Sequence, residues 1–124
     1  MCIRDSNLFE LDGGKTYDSS PVIDSNGDLL GTTRMVHIAD YECFYEKSYY
    51  AEGNHGANVY DTAVGKIGVA ICYDRHFPEY MRSLGVRGAE IVAIPQAGTI
   101  GEWPDVYMKQ SSKLHHFKMV IFVH

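Results

Sequence analysis

The stretch that decides the fold is KIGVAICYDRHFPE, residues 66–79. The segment from Ile67 to Cys72 is apolar apart from one glycine, a pattern that predicts a strand buried on both faces. A charged segment follows, and then Pro78 and Glu79, which suit the first turn of a helix. Cys72 therefore lies where a buried strand ends and a helix is about to begin. The positive end of a helix dipole favours the thiolate, the reactive form of cysteine, so we interpret Cys72 as a candidate nucleophile.

Composition and charge exclude several classes of protein. The chain has 124 residues, enough for one domain, and its hydrophobic content of 45% is ordinary for a globular protein. The net charge is −5 and no basic run occurs, so we expect no nucleic-acid partner. The longest apolar runs are too short to cross a bilayer, so we expect no membrane partner either.

The cysteines and histidines show no pattern of a disulfide framework or a metal site. Cys2, Cys43 and Cys72 are odd in number and form no C-x-x-C pair, which favours a reducing compartment. The adjacent His115 and His116 diverge on a helix and chelate one metal poorly. We therefore expect a cytoplasmic protein that binds no metal.

The first half of the chain predicts strands joined by turns. The predicted strands are residues 7–11, 15–24, 29–38 and 58–62. Pro21 indicates that the second strand lies at a sheet edge or contains a bulge. Asn26-Gly27 is the strongest short hairpin signal, and it joins the second strand to the third. Residues 39–56 have no clear period and are rich in aromatic and charged side chains, and so long a loop is often functional.

The second half of the chain contains a strand–helix–strand pattern. Phe77, Met81 and Leu84 fall on one face of a predicted helix, and a buried strand follows at residues 90–95. A strand, a helix and a strand within about 30 residues form a βαβ unit, so the two strands are predicted to be parallel. Further elements are predicted beyond it: a Gly-rich loop at residues 96–103, a helix at 104–116 and a buried strand at 119–123.

Cys72 has two interpretations from the residues alone. Free cysteine is among the most buried residue types, and on spacing alone a structural cysteine is the commoner case. Its place between a strand and a helix favours a nucleophile instead. The backbone N–H groups of Tyr73 and Asp74 lie at the same turn and are candidate oxyanion donors, each typically worth roughly 3 kcal/mol.

Four further side chains are candidates, each with a plain structural alternative. Glu46 lies in the aromatic loop, where an isolated carboxylate is usually a solvated surface group. His37 is a candidate base for Cys72, or a strand histidine bonded to the backbone. Arg75 suits a substrate carboxylate, or an ion pair with an acidic neighbour, and His76 beside it is a further candidate for substrate binding.

Several ordered motifs resemble those of the nitrilase, or carbon–nitrogen hydrolase, superfamily. They are RMVHI at 34–38, FYEKSYYAEGN at 44–54, GVAICYDRHFPE at 68–79 and AEIVAIP at 89–95. Within the superfamily, the chain is most similar to enzymes of the β-ureidopropionase and N-carbamoylputrescine amidase type. The resemblance covers residues 7–124, which we expect to be a partial domain. Residues 1–6, MCIRDS, lie outside the resemblance and lack the apolar core of a signal peptide, so we expect an unrelated leader of artefactual origin.

The resemblance implies a fold, a chemistry and residue roles. The fold is α/β, a four-layer α-β-β-α sandwich of which this chain is a fragment, in proteins that are usually dimers or larger homo-oligomers. The chemistry is hydrolysis of a small-molecule amide or N-carbamoyl bond by a Glu-Lys-Cys triad, through a cysteine thioester and with no metal or organic cofactor. The resemblance implies that Cys72 is the nucleophile, that Glu46 orients the triad and that Arg75 helps to bind a substrate carboxylate.

Two departures from the family pattern bear on activity. The triad lysine of the family follows an arginine in R-K-x-H-[IL], whereas here Met35 follows Arg34. A thioether neither donates a hydrogen bond nor carries charge, and the loss of one such stabiliser typically costs about 10²–10³ in rate. Arg34 and Lys47 are alternative sources of positive charge, although Arg34 lies on the opposite strand face. The general-base glutamate of the family belongs to an N-terminal portion that this chain does not contain.

Three hypotheses follow from these residues. The first is a carbon–nitrogen hydrolase that acts through Cys72. The second is a non-catalytic nitrilase-like fragment or binding module, because Met35 stands in the lysine position and the general base is absent. The third is a different cysteine enzyme that uses His37 or His76 as its base; a phosphatase is disfavoured because the C-x5-R loop is missing.

Overall fold

The structure is a computed structural model that describes residues 4–5, 7–42, 44–96 and 117–121. The strands are β1 (Arg4–Asp5), β2 (Leu8–Asp12), β3 (Lys15–Ile23), β4 (Leu29–Arg34), β5 (Asp40–Tyr41), β6 (Phe44–Tyr45), β7 (Val59–Thr62), β8 (Gly65–Val69), β9 (Ile91–Pro95) and β10 (Phe117–Ile121). The helices are α1 (Pro78–Val86) and two short 3-10 helices, Glu46–Ser48 and Cys72–His76. The helix predicted at residues 104–116 and most of the predicted Gly-rich loop lie outside the described residues.

An antiparallel sheet is built around β3. Ser19 of this strand pairs with Leu8 of β2 on one side and with Arg34 of β4 on the other. An edge position for this strand, one of the two predicted from Pro21, is therefore wrong. The register between β3 and β4 does shift directly after Val22, but the unpaired extra residue is Leu30 of β4, and Pro21 itself stays in register with Thr32. The irregularity therefore lies beside the proline and not at it.

A second sheet has the strand order β10-β9-β8-β7. β8 and β9 are parallel, with Ile67 opposite Ile91, and α1 lies between them in the chain, so the predicted βαβ unit is confirmed. β7 and β10 flank this pair and run antiparallel to their neighbours. The buried strand predicted at residues 119–123 is therefore present as β10, and it begins two residues earlier than predicted, at Phe117.

Two hydrophobic clusters define the layers. The first lies where α1 covers the second sheet, and its buried members are Ala57, Ala70, Tyr80, Leu84, Ala89, Val92 and Ile94. The second lies between the two sheets, and its buried members are Val22, Met35, Ile38, Val69 and Ile71. The chain from Val69 to Ile71 contributes to both clusters, which confirms that the segment before Cys72 is buried on both faces. The described residues form an α–β–β arrangement, three layers of the implied sandwich.

The strand predicted at residues 29–38 is shorter in the structure, where it is β4. β4 ends at Arg34, whereas the alternation of the sequence predicted a strand to Ile38. The next residue, Met35, keeps one bond in register with β3, from its N–H to the carbonyl of Asp18 at 2.9 Å. Its carbonyl instead accepts the N–H of Gly53 at 2.8 Å, so the pairing with β3 ends here. The following two backbone N–H groups bind a side chain of another element, so no strand forms there.

The predicted loop at residues 39–56 is partly structured. It contains the short β5–β6 hairpin and the 3-10 helix Glu46–Ser48. Ala51 then fixes the loop to β3, because its N–H donates to the carbonyl of Thr16 at 2.8 Å. Within the described ranges, no helix is long and apolar enough to cross a membrane.

Candidate active site

Cys72 lies in the turn between β8 and α1. The predicted helix start at Pro78 is confirmed, but a 3-10 helix of five residues begins at Cys72, so the dipole of α1 does not start at the thiol. Cys72 has a φ of 45°, in the left-handed region that residues with a side chain rarely adopt. Such a conformation costs of order 1–3 kcal/mol and is concentrated at functional sites, which favours a chemical role for this residue.

The carboxylate of Asp74 holds this turn in place. It accepts hydrogen bonds from the N–H of Ile71 at 3.2 Å, from the N–H of His37 at 2.8 Å and from the N–H of Val36 at 3.2 Å. The imidazole Nδ1 of His37 lies 2.8 Å from the same carboxylate. Burial raises the pKa of Asp74, and the hydrogen bonds from His37 oppose that rise. One fully buried side chain thus joins the Cys72 turn to the segment after β4.

Of the two candidate oxyanion donors, the backbone N–H groups of Tyr73 and Asp74, one is already hydrogen-bonded within the turn. The N–H of Asp74 donates to the carbonyl of Ile71 at 3.0 Å, so it is not available to a substrate oxygen. This part of the sequence prediction is wrong, because the 3-10 geometry directs that N–H back into the turn. Tyr73 remains as the candidate backbone donor next to Cys72.

A cavity of about 220 Å³ opens beside the thiol. Its lining residues are Asn7, Leu8, Phe9, Asp18, Glu46, Tyr49, Tyr50 and Cys72. The structure therefore brings together Cys72 and Glu46, which are 26 positions apart in the chain and were both named from the sequence. Arg75, His76 and His37 do not line this cavity.

Glu46 is positioned by the 3-10 helix that it begins. Its N–H donates to the carbonyl of Ala39 at 3.1 Å, and its carbonyl accepts the N–H of Tyr50 at 2.8 Å. Burial raises the pKa of the Glu46 carboxyl, and a hydrogen bond from the Ala39 backbone opposes that rise. One carboxyl oxygen, Oε2, is buried without a hydrogen-bond partner among the described residues. This oxygen is a free acceptor for a proton or a substrate N–H.

Asp18 is the site residue that sequence reasoning missed. It lies on β3, is only 8% exposed and lines the cavity with Cys72 and Glu46. Burial, together with the charges of Glu46 and Asp74, raises the pKa of Asp18 to about 7. The available signal was a carboxylate in the middle of a predicted strand, a position where charge is rarely buried without a reason.

Met35 and Arg34 occupy opposite faces, as the alternation predicted. Met35 is fully buried in the cluster between the sheets, against which Cys72 packs. The guanidinium of Arg34 binds Glu10 at 2.6 Å and Asp12 at 2.7 Å on the other face, and these hydrogen bonds raise its pKa. Arg34 therefore supplies no charge to the cavity, and Lys47, the other candidate, does not line it either.

Arg75, His76 and His37 surround the turn from outside the cavity. Arg75 donates a hydrogen bond from Nη1 to the carbonyl of Cys72, so it supports the turn. The ring of His76 lies 5.3 Å from that of Tyr73. His37 stacks on Phe77 at 3.7 Å, binds Asp74 and does not line the cavity with Cys72. No group of three potential ligands within the described ranges could hold a metal ion.

The family model for carbon–nitrogen hydrolases matches residues 2–119 of the chain. This chain belongs to the carbon–nitrogen hydrolase family. The resemblance drawn from RMVHI, FYEKSYYAEGN and GVAICYDRHFPE is thereby confirmed. Cys72, Glu46 and Asp18 all lie within the matched range.

Curated relatives support the same assignment. The carbon–nitrogen hydrolase chain is 41% identical over 99 residues to citrullinase from Francisella tularensis, a match that covers 80% of this chain and 34% of that protein. It is 41% identical over 98 residues to N-carbamoylputrescine amidase from Solanum tuberosum, covering 79% of this chain and 32% of the relative. It is 41% identical over 101 residues to beta-ureidopropionase from Arabidopsis thaliana, a match that covers 77% of this chain and 24% of that protein. The chain spans about a third or less of the length of these relatives.

Solved structures show the same fold. A carbon–nitrogen hydrolase from Helicobacter pylori G27 is 34% identical with a TM-score of 0.75, over 90% of this chain and 39% of that one. Nit3 of Saccharomyces cerevisiae, a nitrilase-superfamily member, is 30% identical with a TM-score of 0.65, over 88% and 37%. An amidase mutant from Nesterenkonia sp. AN1, solved with the acetamide moiety of fluoroacetamide on its active-site cysteine, is 25% identical with a TM-score of 0.69, over 77% and 36%. The α/β arrangement described above is therefore part of the nitrilase-superfamily fold.

Proposed function

We propose that this chain carries the nucleophile of a hydrolase that cleaves a small-molecule amide or N-carbamoyl bond through a cysteine thioester. The observation that supports it best is the position of Cys72, in a left-handed turn beside a cavity that Glu46 also lines. A thiol that lines a cavity together with a carboxyl whose oxygen has no partner among the described residues suits attack on a bound carbonyl.

In the first half of the proposed reaction, the thiolate of Cys72 attacks the carbonyl carbon, a C–S bond forms and one electron pair of the C=O bond moves to oxygen. The N–H of Tyr73 is the candidate donor to that oxyanion. The oxyanion then reforms C=O, the C–N bond breaks and the leaving nitrogen takes up a proton. A thioester on Cys72 and an amine or ammonia result.

In the second half, water attacks the thioester carbon while a carboxylate of the cavity accepts one of its protons. The C–S bond breaks, the thiolate of Cys72 is restored and a carboxylic or carbamic acid leaves. Glu46 is suited to this step, because its buried Oε2 has no competing partner among the described residues. The sequence of steps requires no metal and no organic cofactor.

The relatives provide the substrate classes to examine. Citrullinase, N-carbamoylputrescine amidase and beta-ureidopropionase are named for substrates that contain a carbamoyl group. We propose the same class for this chain. The carboxylate contact implied for Arg75 stays a prediction, since the guanidinium lies outside the cavity and binds the Cys72 backbone.

The deciding experiment measures ammonia release from a panel of N-carbamoyl and primary amide compounds by the wild-type chain, by Cys72→Ala and by Cys43→Ala. We expect turnover in the wild type and in Cys43→Ala, and none in Cys72→Ala. Intact mass spectrometry after rapid quenching should show an acyl adduct that depends on Cys72. Equal turnover in Cys72→Ala would refute the proposal. Ligand binding without turnover in the wild type would favour the non-catalytic alternative that the buried Met35 motivates.

A further inference from the structure

We propose that Asp18 is a catalytic proton carrier of this site, a carboxylic acid that enters the reaction neutral and gives its proton to the leaving nitrogen. This inference rests on the function proposed above and assigns one of its proton transfers. The family motifs that identify the chain do not include residue 18, and no role was expected for it from the sequence.

The alternation of side chains along β3 directs Asp18 into the cavity. Its neighbours Tyr17 and Ser19 lie on the other face, where Tyr17 stacks under Arg34 and Ser19 binds Glu10. Successive strand residues point to opposite faces, so Asp18 faces the space between the sheets. There it is 8% exposed and shares the cavity lining with Cys72.

The surroundings of this carboxyl favour its neutral form. The acidic groups that face it are Glu46 from the first 3-10 helix and Asp74 from the second. The phenols of Tyr49 and Tyr50 also line its cavity, and burial, with smaller contributions from Glu46 and Asp18, raises the pKa of each. None of the described residues that line this cavity is a lysine or an arginine. Burial beside two carboxylates, with no cation to offset them, leaves Asp18 protonated in much of the population near neutral pH, since its pKa is raised to about 7.

Two residues that the sequence placed near the thiol as possible donors, Met35 and Arg34, supply no proton to the described part of the cavity. Met35, which occupies the position of the family lysine, has a thioether that cannot donate. Arg34 is committed to Glu10 and Asp12 on the opposite face of the sheet. Two carboxyls in one site whose environments differ commonly divide acid and base roles between them. Asp18 is the more buried of the two, which favours it as the acid and leaves Glu46 as the base.

When the tetrahedral adduct collapses, the oxyanion electron pair reforms C=O, the C–N bonding pair moves to nitrogen, and that nitrogen takes the proton from the Asp18 carboxyl. The products are the Cys72 thioester, a neutral amine and an Asp18 carboxylate. Hydrolysis of the thioester then releases a proton, which returns Asp18 to its neutral form.

The first test is a pH profile of kcat/KM for the full chain and for Asp18→Asn, Asp18→Glu and the matched control Asp61→Asn, an exposed carboxylate. We expect wild-type and Asp61→Asn activity to fall above a pH near 7. Asp18→Asn should lose about 10²-fold in kcat/KM and show no such fall, as expected for removal of a general acid. Asp18→Glu should regain part of the rate together with the alkaline fall. Unchanged kcat/KM in Asp18→Asn, with turnover still lost in Cys72→Ala, would overturn this inference alone.

The second test needs no turnover. Iodoacetamide labelling of Cys72, resolved from Cys2 and Cys43 by peptide mass spectrometry, reports how readily the thiolate forms at each pH. The Asp18 carboxylate opposes the thiolate, so we expect half-maximal labelling at a lower pH in Asp18→Asn than in the wild type or in Asp61→Asn. Coincident labelling curves for Asp18→Asn and wild type would show that the Asp18 carboxyl does not share the cavity with the thiol in solution, which removes the geometric basis of the proposal. A wild-type chain without any turnover would reject the proposed function and this assignment together.

Discussion

Asp74 is the residue on which the shape of the Cys72 turn depends most. Its buried carboxylate receives backbone N–H bonds from Val36, His37 and Ile71 and lies against the His37 ring. In Asp74→Asn one carboxylate oxygen, which accepts N–H bonds, is replaced by an NH₂ group, which cannot accept them. Loss of such a buried network should lower the free energy of unfolding by about 2–4 kcal/mol, measured by urea denaturation.

The matched control for Asp74→Asn is Asp61→Asn, the same change at an exposed carboxylate that pairs with Lys66 at 2.8 Å. An exposed pair is worth about 0–1 kcal/mol, so this variant should unfold close to the wild type. Asp74→Asn should also slow iodoacetamide labelling of Cys72, since the turn would no longer be fixed. Equal stability of the two variants would contradict the role given to Asp74.

At this same scale, the sequence predicted the residues whose local pattern is distinctive. Cys72 was found because a buried strand, a polar turn and a helix start are all local features, and Glu46 because its motif resembles the family. Asp18 and Asp74 were not assigned these roles, because a carboxylate is usually exposed and its burial depends on elements far away in the chain. The partner of Arg75 was missed for a related reason, since the neighbouring carbonyl of Cys72 competes with any acidic side chain.

At the scale of elements, the sequence predicted which segments form strands and helices better than where they sit. The βαβ unit around Cys72 was correct because periodicity, length and glycine positions are local. The central position of β3 in its sheet was not predicted, because it depends on pairing with segments before and after it in the chain. The end of β4 was set by a distant residue too: Gly53 donates to Met35, and a side chain at Gly53 would lie 2.5 Å from the carbonyl of Arg34.

The contact between α1 and β8 gives a prediction at this scale. A Cβ on Gly68 would lie 3.1 Å from Cδ2 of Leu84 and 3.2 Å from Cβ of Ala89, closer than ordinary packing allows. Gly68→Ala should therefore push α1 away from β8, the strand that leads to Cys72, and lower the free energy of unfolding in urea by about 1–3 kcal/mol. Ser83→Ala, on the exposed face of α1, is the control and should change stability little. Wild-type stability in Gly68→Ala would show that α1 moves freely enough to absorb a methyl group.

At the scale of the whole molecule, the candidate site depends on the packing of two sheets. The first sheet and its following loop contribute Asp18 and Glu46, the second sheet leads to Cys72, and Met35 fills the cluster between them. This packing buries several carboxyl groups and thereby changes their pKa values. Asp18, Glu46 and Asp74 all have raised pKa values, chiefly through burial, whereas the pKa of Glu10 is lowered to about 2, chiefly through its hydrogen bond with Arg34.

These opposite shifts predict how global stability varies with pH. Burial raises the pKa of Asp18 to about 7 in the folded state, against 3.8 in the unfolded chain, so between those values the folded state holds a proton that the unfolded state has lost. The free energy of unfolding should therefore fall as pH rises through that window, by at most about 4 kcal/mol from Asp18. Glu10 acts in the other direction, because its stabilisation is complete above 4.5 and is lost as pH falls towards about 2.

Urea unfolding of the wild type, of Asp18→Asn and of Glu10→Gln, followed from about pH 2.5 to about pH 7.5, separates these contributions. The wild type should be most stable on the acid side of neutrality and should lose stability towards pH 7. Asp18→Asn should show a shallower decline across this window, because an amide does not titrate, while Glu10→Gln should differ from the wild type mainly in losing the decline below 4.5. Parallel curves for the wild type and Asp18→Asn would mean that the Asp18 carboxyl is already ionised in the folded protein, and that burial between the two sheets does not hold its proton.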